Sequence, residues 1–242
     1  MNFIYTLKNF KCNKHCPYCI AKIHRQRKPE DIDMLPEYLQ REKDAGKVFE
    51  EFVLSSNGEP TMYPIEKLQF IVDTVNNSGM FKTMRVQTSG MLYAFPDKLK
   101  VFRGWLKEIT VVDTTFEKDS AVLKYRKDYF GRAFKLGELR SNLVILKDLS
   151  SVLQNIEVLL LHSDTVALKV LDGSNPWIRD TALPWSEADE LVRLVSTQYG
   201  EPEYNSTQGR YIWKVNDKSI TMSYGKKRGH DIIAINLQGD GK

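Results

Sequence analysis

The sequence predicts an α/β fold, a partial (βα)6 TIM-like barrel followed by a small C-terminal β-rich cap. Short apolar runs alternate with longer stretches of helical periodicity. Most of the apolar runs recur at a spacing of roughly 30 residues, which is the length of a βαβ unit. The alternation stops near Gly200. Strands that alternate with helices indicate a parallel sheet, and six such units are too few for a closed eight-fold barrel. A flat, doubly wound sheet stays open as an alternative, because periodicity does not separate the two.

Six candidate strands precede Gly200, at residues 3–7, 51–55, 83–88, 108–113, 139–145 and 166–171. Helical periodicity covers residues 36–45, 64–77 and 185–199. The first of these helices begins at Pro36 and is followed by Gly46, the order typical of a helix. Beyond Gly200, residues 210–215 and 219–224 flank a turn and predict a hairpin, and 231–236 predict one more strand. We therefore expect a core of residues 1–200 and a C-terminal extension of residues 201–242.

Composition restricts the class of protein. The chain has 242 residues, of which 42% are hydrophobic, and a net charge of +4. No apolar run approaches the roughly 18 residues that a membrane span needs. Lys8 and Lys11 interrupt the N-terminal apolar stretch before a signal peptide could form. We therefore expect a cytoplasmic protein with no membrane partner, and a charge this mild does not by itself suggest nucleic acid.

The three cysteines of the chain, Cys12, Cys16 and Cys19, lie within eight residues in a CxxxCxxC pattern. They follow the first predicted strand directly, and loops after strands form the active edge of α/β folds. A disulfide framework would use an even number of cysteines spread along the chain, so this cluster indicates a metal or an iron–sulfur cluster. Three thiolates would leave one iron of a [4Fe–4S] cluster open. A structural zinc site completed by His15 or His24 is the alternative.

Positive charge is concentrated around the cysteines. Residues 1–29 contain seven Lys or Arg residues and no Asp or Glu. Such surroundings favour the reduced form of an electron-rich cluster, and they attract either an acidic electron donor, such as a flavodoxin-type reductase, or an anionic substrate. The alternative is a solvated basic loop without a partner.

With aromatic Tyr18 before the last cysteine, the pattern CxxxCxΦC resembles the signature of the radical SAM superfamily. The resemblance implies that Cys12, Cys16 and Cys19 ligate a single [4Fe–4S] cluster and are the catalytic, metal-binding residues. It further implies that the open iron binds S-adenosylmethionine and that reductive cleavage gives methionine and a 5′-deoxyadenosyl radical. That radical takes a hydrogen atom from the substrate. Backbone contacts to adenine are implied for Tyr18.

Residues 56–60, Ser-Asn-Gly-Glu-Pro, resemble the GGEP motif of the same superfamily. Asn57 replaces the first glycine, whereas Gly58 and Glu59 are retained. The motif implies that these residues bind the methionine amino group of S-adenosylmethionine. A carboxylate at the end of a strand suits an ammonium group, because a charge-assisted hydrogen bond forms between them.

Further cofactor-binding residues follow from the resemblance, which covers roughly residues 3–172. Thr88 lies in a segment similar to the TNG-like motif, Asp113 and Thr115 follow the fourth strand, and Asn142 lies on the fifth. The molybdenum-cofactor cyclase branch is the most similar, but it carries three further cysteines that this chain lacks. One cluster is therefore implied, and the reaction of that branch is not transferred. Carboxy-deazaguanine synthases, which lack auxiliary clusters, are a second comparison.

The substrate class stays open between an anionic metabolite or nucleotide, expected from the basic residues, and a peptide or protein. Two hypotheses that assign the chain to other classes of protein remain. One is a non-catalytic iron–sulfur or zinc protein, and the other is a basic nucleic-acid-binding module stabilised by metal. Trp177 is interpreted as a packing residue.

Overall fold

The computed structural model describes residues 2–7, 11–12, 16–19, 32–56, 58–88, 96–102, 109–115, 139–171, 176–206, 209–223 and 232–235. The strands in these ranges are β1 Asn2–Leu7, β2 Glu51–Ser56, β3 Thr83–Thr88, β4 Ile109–Thr115, β5 Leu139–Val144, β6 Thr165–Lys169, β7 Glu203–Asn205, β8 Arg210–Val215, β9 Lys218–Ser223 and β10 Ile232–Ile235. The α-helices are α1 Leu35–Asp44, α2 Ile65–Ser78, α3 Pro96–Val101, α4 Val152–His162, α5 Pro176–Thr181 and α6 Ala188–Tyr199. Short 3-10 helices span Ile32–Met34, Pro60–Met62 and Trp185–Glu187. Of the described helices, none is both long and apolar enough to cross a membrane.

All ten described strands belong to one sheet, in the order β10-β1-β2-β3-β4-β5-β6-β9-β8-β7. Neighbouring strands from β1 to β6 run parallel, β10 lies parallel to β1, and β9 lies parallel to β6. β8 is antiparallel to both β9 and β7. The carboxyl ends of β1 to β6 therefore lie along one edge of the sheet, called here the carboxyl edge.

The expected partial (βα)6 TIM-like barrel with a separate β-rich cap is wrong, although the mixed α/β content is as expected. The hairpin β8–β9 continues the sheet beyond β6, and β10 extends it at the opposite side beside β1. Within the described ranges, the outermost strands β10 and β7 do not pair with each other, so the sheet is open. Strand periodicity identifies the strands but not their neighbours, so the order of the strands in the sheet could not be predicted from the sequence. The domain boundary at residue 200 stays a prediction.

The helices that pack on this sheet carry apolar residues at a spacing that places them on one face of the helix. Helix α2 buries Leu68, Ile71, Val72 and Val75, which recur at helical spacing. It ends at Gly79, whose φ of 66° lies in the left-handed region that terminates many helices. The pattern therefore determines both the buried stripe of α2 and its last turn.

Two apolar cores lie between the helices and one face of the sheet. In the first, Phe52 and Leu54 of β2 and Met84 and Val86 of β3 pack with α1 and α2. In the second, strands β5, β6, β8 and β9 pack with α4 and α6, and Trp213 is almost fully buried. Alternate residues of these strands therefore face the helices, and the residues between them face the opposite side.

Charged residues lie on the face turned away from the helices. Arg85 Nη2 of β3 lies 2.9 Å from Glu51 Oε1 of β2, and both side chains are largely buried. Burial raises the pKa of Glu51, and Arg85, Arg140 and Arg210 oppose this rise. Arg210 lies on β8, and five strands lie between β8 and β2 in the sheet. This effect of Arg210 on Glu51, together with the 5.6 Å separation of the rings of Tyr18 after β1 and Trp177 after β6, indicates that the sheet curves towards this face, called here the concave face.

Replacing Glu51 by alanine is expected to lower the free energy of unfolding by about 3 kcal/mol, because removing one partner of a buried ion pair leaves Arg85 without its counter-charge. Glu50 is the matched control, since this neighbouring carboxylate pairs with Lys82 at 2.9 Å in full contact with solvent. Glu50→Ala is expected to cause no measurable change. Urea denaturation measures both variants, and equal stabilities would contradict the importance assigned to the buried pair.

Candidate functional site

The cysteine loop follows β1 at the carboxyl edge. The N–H of Cys19 donates a hydrogen bond to the carbonyl oxygen of Cys16 at 3.2 Å, which closes a turn. Cys12 is exposed, Cys16 and Cys19 are half-buried, and no disulfide joins the three. Among the described residues, no group of three or more His, Cys, Asp or Glu side chains is gathered closely enough to hold a metal ion. The structure therefore places three reduced thiols in one loop without bringing them together.

Glu59 follows β2 and its carboxylate is buried, with 1% of the residue exposed. Its Oε1 accepts hydrogen bonds from Thr61 N at 3.1 Å, Thr61 Oγ1 at 2.7 Å and Thr88 Oγ1 at 2.7 Å. Thr88 ends β3, and Thr61 lies in the 3-10 helix that begins at Pro60. Three donors on one oxygen hold the carboxylate in a single orientation, and they connect the ends of two adjacent strands.

The cysteine loop and the Glu59 loop are joined by one backbone contact. The N–H of Glu59 donates to the carbonyl oxygen of Lys11 at 2.9 Å. Lys11 directly precedes Cys12, so the first cysteine starts from a point anchored to the backbone of Glu59. Gly58 is half-buried, and its N–H donates to Ser56 Oγ at 3.0 Å. The structure thus brings Cys12, Gly58, Glu59 and Thr88, all predicted as site residues, to one region of the carboxyl edge.

An aromatic contact reaches the cysteine loop from the far side of the parallel strands. The rings of Tyr18 and Trp177 have centroids 5.6 Å apart and are tilted by 42°. Trp177 lies in α5, which follows β6, whereas Tyr18 follows β1. Curvature of the sheet brings the carboxyl ends of these strands within reach of each other. The interpretation of Trp177 as a packing residue is compatible with this contact, but its partner lies in the candidate site.

Three of the remaining predicted site residues have no described side chain. Asn57 lies outside the described residues, and so do the side chains of Asp113 and Thr115. In the backbone register of the parallel strands, Asp113 pairs with Thr88 and with Ser141. The order of the strands therefore puts Asp113 one strand away from the end of β3.

Asn142 lies on β5 and is nine-tenths buried, with 8% exposed. Its neighbours Ser141 and Leu143 face the helices, where Ser141 Oγ lies 2.6 Å from Ser163 Oγ. By alternation, Asn142 faces the concave side of the sheet. Its Oδ1 meets no hydrogen-bond donor in the part of the chain that the structure describes. Such a buried acceptor is expected to have a partner in the functional protein, because a missing hydrogen bond costs about 1–3 kcal/mol.

Two contributors to this region were not identified from the sequence. The contact of Thr61 could have been predicted from the sequence. A residue two positions after a helix N-cap commonly donates its N–H to the capping side chain, and Glu59 is the N-cap of this 3-10 helix. The contact of Lys98 in α3 could not have been predicted, because this lysine reaches the loop only in the folded chain. There its Nζ donates to Thr61 O and to Tyr63 O.

Comparison of the chain with protein-family models and with curated proteins found no match in either case.

Proposed function

We propose that this protein is a radical SAM enzyme that binds one [4Fe–4S] cluster through Cys12, Cys16 and Cys19. When bound and reduced, such a cluster supplies the electron that cleaves S-adenosylmethionine to methionine and a 5′-deoxyadenosyl radical. The observation that carries the proposal is the 2.9 Å hydrogen bond from Glu59 N to Lys11 O. It joins the start of the cysteine motif to the residue whose carboxylate would meet the methionine end.

The donor set fits such a cluster in kind and in number. Three thiols within eight residues, none in a disulfide, can supply three thiolate ligands and leave one iron open. The described side chains are not gathered around a metal position. Ligation therefore requires the loop to close around the cluster, as happens when metal binding is coupled to local folding.

The chain's own residues would bind and orient the second substrate. Glu59 presents a carboxylate held by Thr61 and Thr88, and an ammonium group would donate a charge-assisted hydrogen bond to it. Tyr18 and Trp177 would form an aromatic wall beside the cysteine turn. Asn57, Gly58, Thr88, Asp113, Thr115 and Asn142 complete the proposed set of cofactor-binding residues.

The rest of the proposal concerns partners and location. The basic residues around the cysteines favour an anionic metabolite or nucleotide as substrate and an acidic flavodoxin-type reductase as electron donor. A peptide substrate is the competing outcome. We place the protein in the cytoplasm, where thiols stay reduced.

Anaerobic reconstitution with iron and sulfide, followed by reduction in the presence of S-adenosylmethionine, tests the function. The expected result is a brown protein that releases 5′-deoxyadenosine. A fully reconstituted cluster that releases none would overturn the proposal. A colourless, zinc-loaded protein that resists reconstitution would favour the zinc alternative, and salt-sensitive nucleic-acid binding that survives loss of the cluster would favour the nucleic-acid module.

Replacing Asn142 by leucine separates stability from binding. Leucine has the same branching and the same number of side-chain heavy atoms and removes the unsatisfied acceptor, so we expect the free energy of unfolding to stay level or rise by about 1 kcal/mol. We expect the affinity for S-adenosylmethionine to fall, because a ligand group that donates to Asn142 Oδ1 would lose its acceptor. Urea denaturation and equilibrium dialysis measure the two quantities.

Ser141→Ala is the matched control for Asn142→Leu, since Ser141 is adjacent but bonds Ser163 on the opposite face. It should lower stability and leave affinity unchanged. If Asn142→Leu bound S-adenosylmethionine as tightly as the natural protein, its assignment to the cofactor site would be wrong.

A further inference from the structure

Lys98 of α3 holds the loop that carries Glu59. Its Nζ donates to the carbonyl oxygen of Thr61 at 2.5 Å and to that of Tyr63 at 2.7 Å. Both contacts are partly buried and join segments 35 and 37 residues apart in the chain. An ammonium group that donates to two carbonyls of one turn fixes the path of that turn, because each bond is charge-assisted.

Thr61 transmits this contact to the carboxylate. Its N–H and Oγ1 both donate to Glu59 Oε1, while its carbonyl oxygen accepts from Lys98. One residue is therefore held by the lysine on one side and orients the carboxylate on the other. The backbone of the same turn is closed by the N–H of Met62, which donates to Glu59 O at 3.0 Å. A shift of Thr61 would move the donors that hold Glu59.

The helix that carries Lys98 is itself anchored. Helix α3 packs against α2, and Val101 and Phe102 at its end are buried in the first apolar core. The lysine therefore starts from an element with a defined position, which a side chain needs if it is to place a loop precisely.

We propose that Lys98 is a positioning residue for Glu59: it acts through Thr61 and makes the carboxylate a preformed acceptor for the ammonium group of S-adenosylmethionine. The choice of ligand rests on the proposed function, whereas the positioning of the loop does not. Residues that orient the ligands of a metal typically change metal affinity or activity by about 10- to 100-fold when they are removed, and the lower end of this range applies to a residue that acts through one further side chain. We expect Lys98→Met to weaken binding of S-adenosylmethionine by about tenfold.

Lys100 offers a matched control on the same helix. It is exposed and pairs with Asp97 at 2.8 Å, so Lys100→Met removes the same charge from α3 without touching the Glu59 loop. Lys98→Arg should restore part of the affinity, because a guanidinium keeps the charge and the donors.

Two measurements on the four proteins test the proposal. The first is the dissociation constant of S-adenosylmethionine on the reconstituted, unreduced protein at equal iron content. The second is amide hydrogen exchange of Thr61, Met62 and Tyr63 without cofactor. Support requires weaker binding and faster exchange in Lys98→Met, with both values unchanged in Lys100→Met. Unchanged binding in Lys98→Met, or equal losses in both variants, would overturn the proposal.

Failure of the proposed function would look different. If the natural protein does not bind S-adenosylmethionine, the exchange experiment still decides whether Lys98 positions the Glu59 loop: faster exchange confined to Lys98→Met supports it, and no difference overturns it. If Lys98→Met does not fold, Lys98→Gln, which keeps a neutral donor, is judged by the same two measurements and the same criteria.

Discussion

Alanine in place of Cys16 is expected to remove the visible absorbance of the reconstituted protein and to lower the release of 5′-deoxyadenosine to background. Two remaining thiolates are too few to hold a four-iron cluster with one open iron. The carbonyl oxygen of Cys16 accepts the Cys19 N–H, and alanine keeps that carbonyl. The substitution therefore removes the thiol and leaves the backbone turn intact. Iron and sulfide per chain and chromatography of the released nucleoside measure the result.

Pro17→Ala serves as the control for this experiment. Pro17 is exposed and belongs to the same turn, but it has no group that could ligate iron. It should take up a full cluster. A Cys16→Ala protein that kept its iron and cleaved S-adenosylmethionine at the natural rate would contradict the assignment of Cys16 as a ligand.

Glu59→Gln is expected to weaken binding of S-adenosylmethionine by about 10- to 100-fold, because a hydrogen bond to a charged group contributes about 1.5–3 kcal/mol. Glutamine has nearly the same shape, and its Oε1 can still accept from Thr61 and Thr88. Folding should therefore change little, whereas the negative charge that would attract the ammonium group of S-adenosylmethionine under the proposed function is lost. Equilibrium dialysis with labelled S-adenosylmethionine measures the affinity, and urea denaturation measures the stability.

Thr88→Val separates the charge of Glu59 from its packing. This variant loses the buried hydrogen bond to Glu59 Oε1 and should be less stable by about 1–3 kcal/mol, but it retains the carboxylate charge. Its affinity should fall less than that of Glu59→Gln. If Glu59→Gln bound S-adenosylmethionine normally, Glu59 would be a structural residue that caps the Pro60–Met62 turn.

Local pattern predicted the individual strands well. The bounds expected for β3 are those observed, and β8 was expected at residues 210–215, where it lies. Helix α4 was missed because its sequence is apolar on most sides: Val158 and Leu161 are exposed although Ile156 and Leu159 are buried. Because apolar residues lie on the exposed side of α4 as well as on its buried side, the sequence shows no single apolar stripe with a helical period. Only the packing of this segment on the sheet identifies it as a helix.

The predicted fold class failed for a different reason. The hairpin β8–β9 has an apolar face that includes Trp213 and Ile220, and any matching apolar face could cover it. Its alternation indicates that one face is buried but not which strand lies beside it. In the folded chain β9 pairs with β6, so what was expected as a cap is part of the sheet.

By itself the sequence determined the spacing of Cys12, Cys16 and Cys19, their place after β1, and the position of Glu59 after β2, because strand periodicity and motif spacing are local properties. The tertiary structure alone decided that Glu59 is bound to Lys11 and Thr88, that Lys98 holds the same loop, and that Trp177 meets Tyr18. These contacts join strands and helices that are distant along the chain. They depend on the order and curvature of the sheet, which no local pattern encodes.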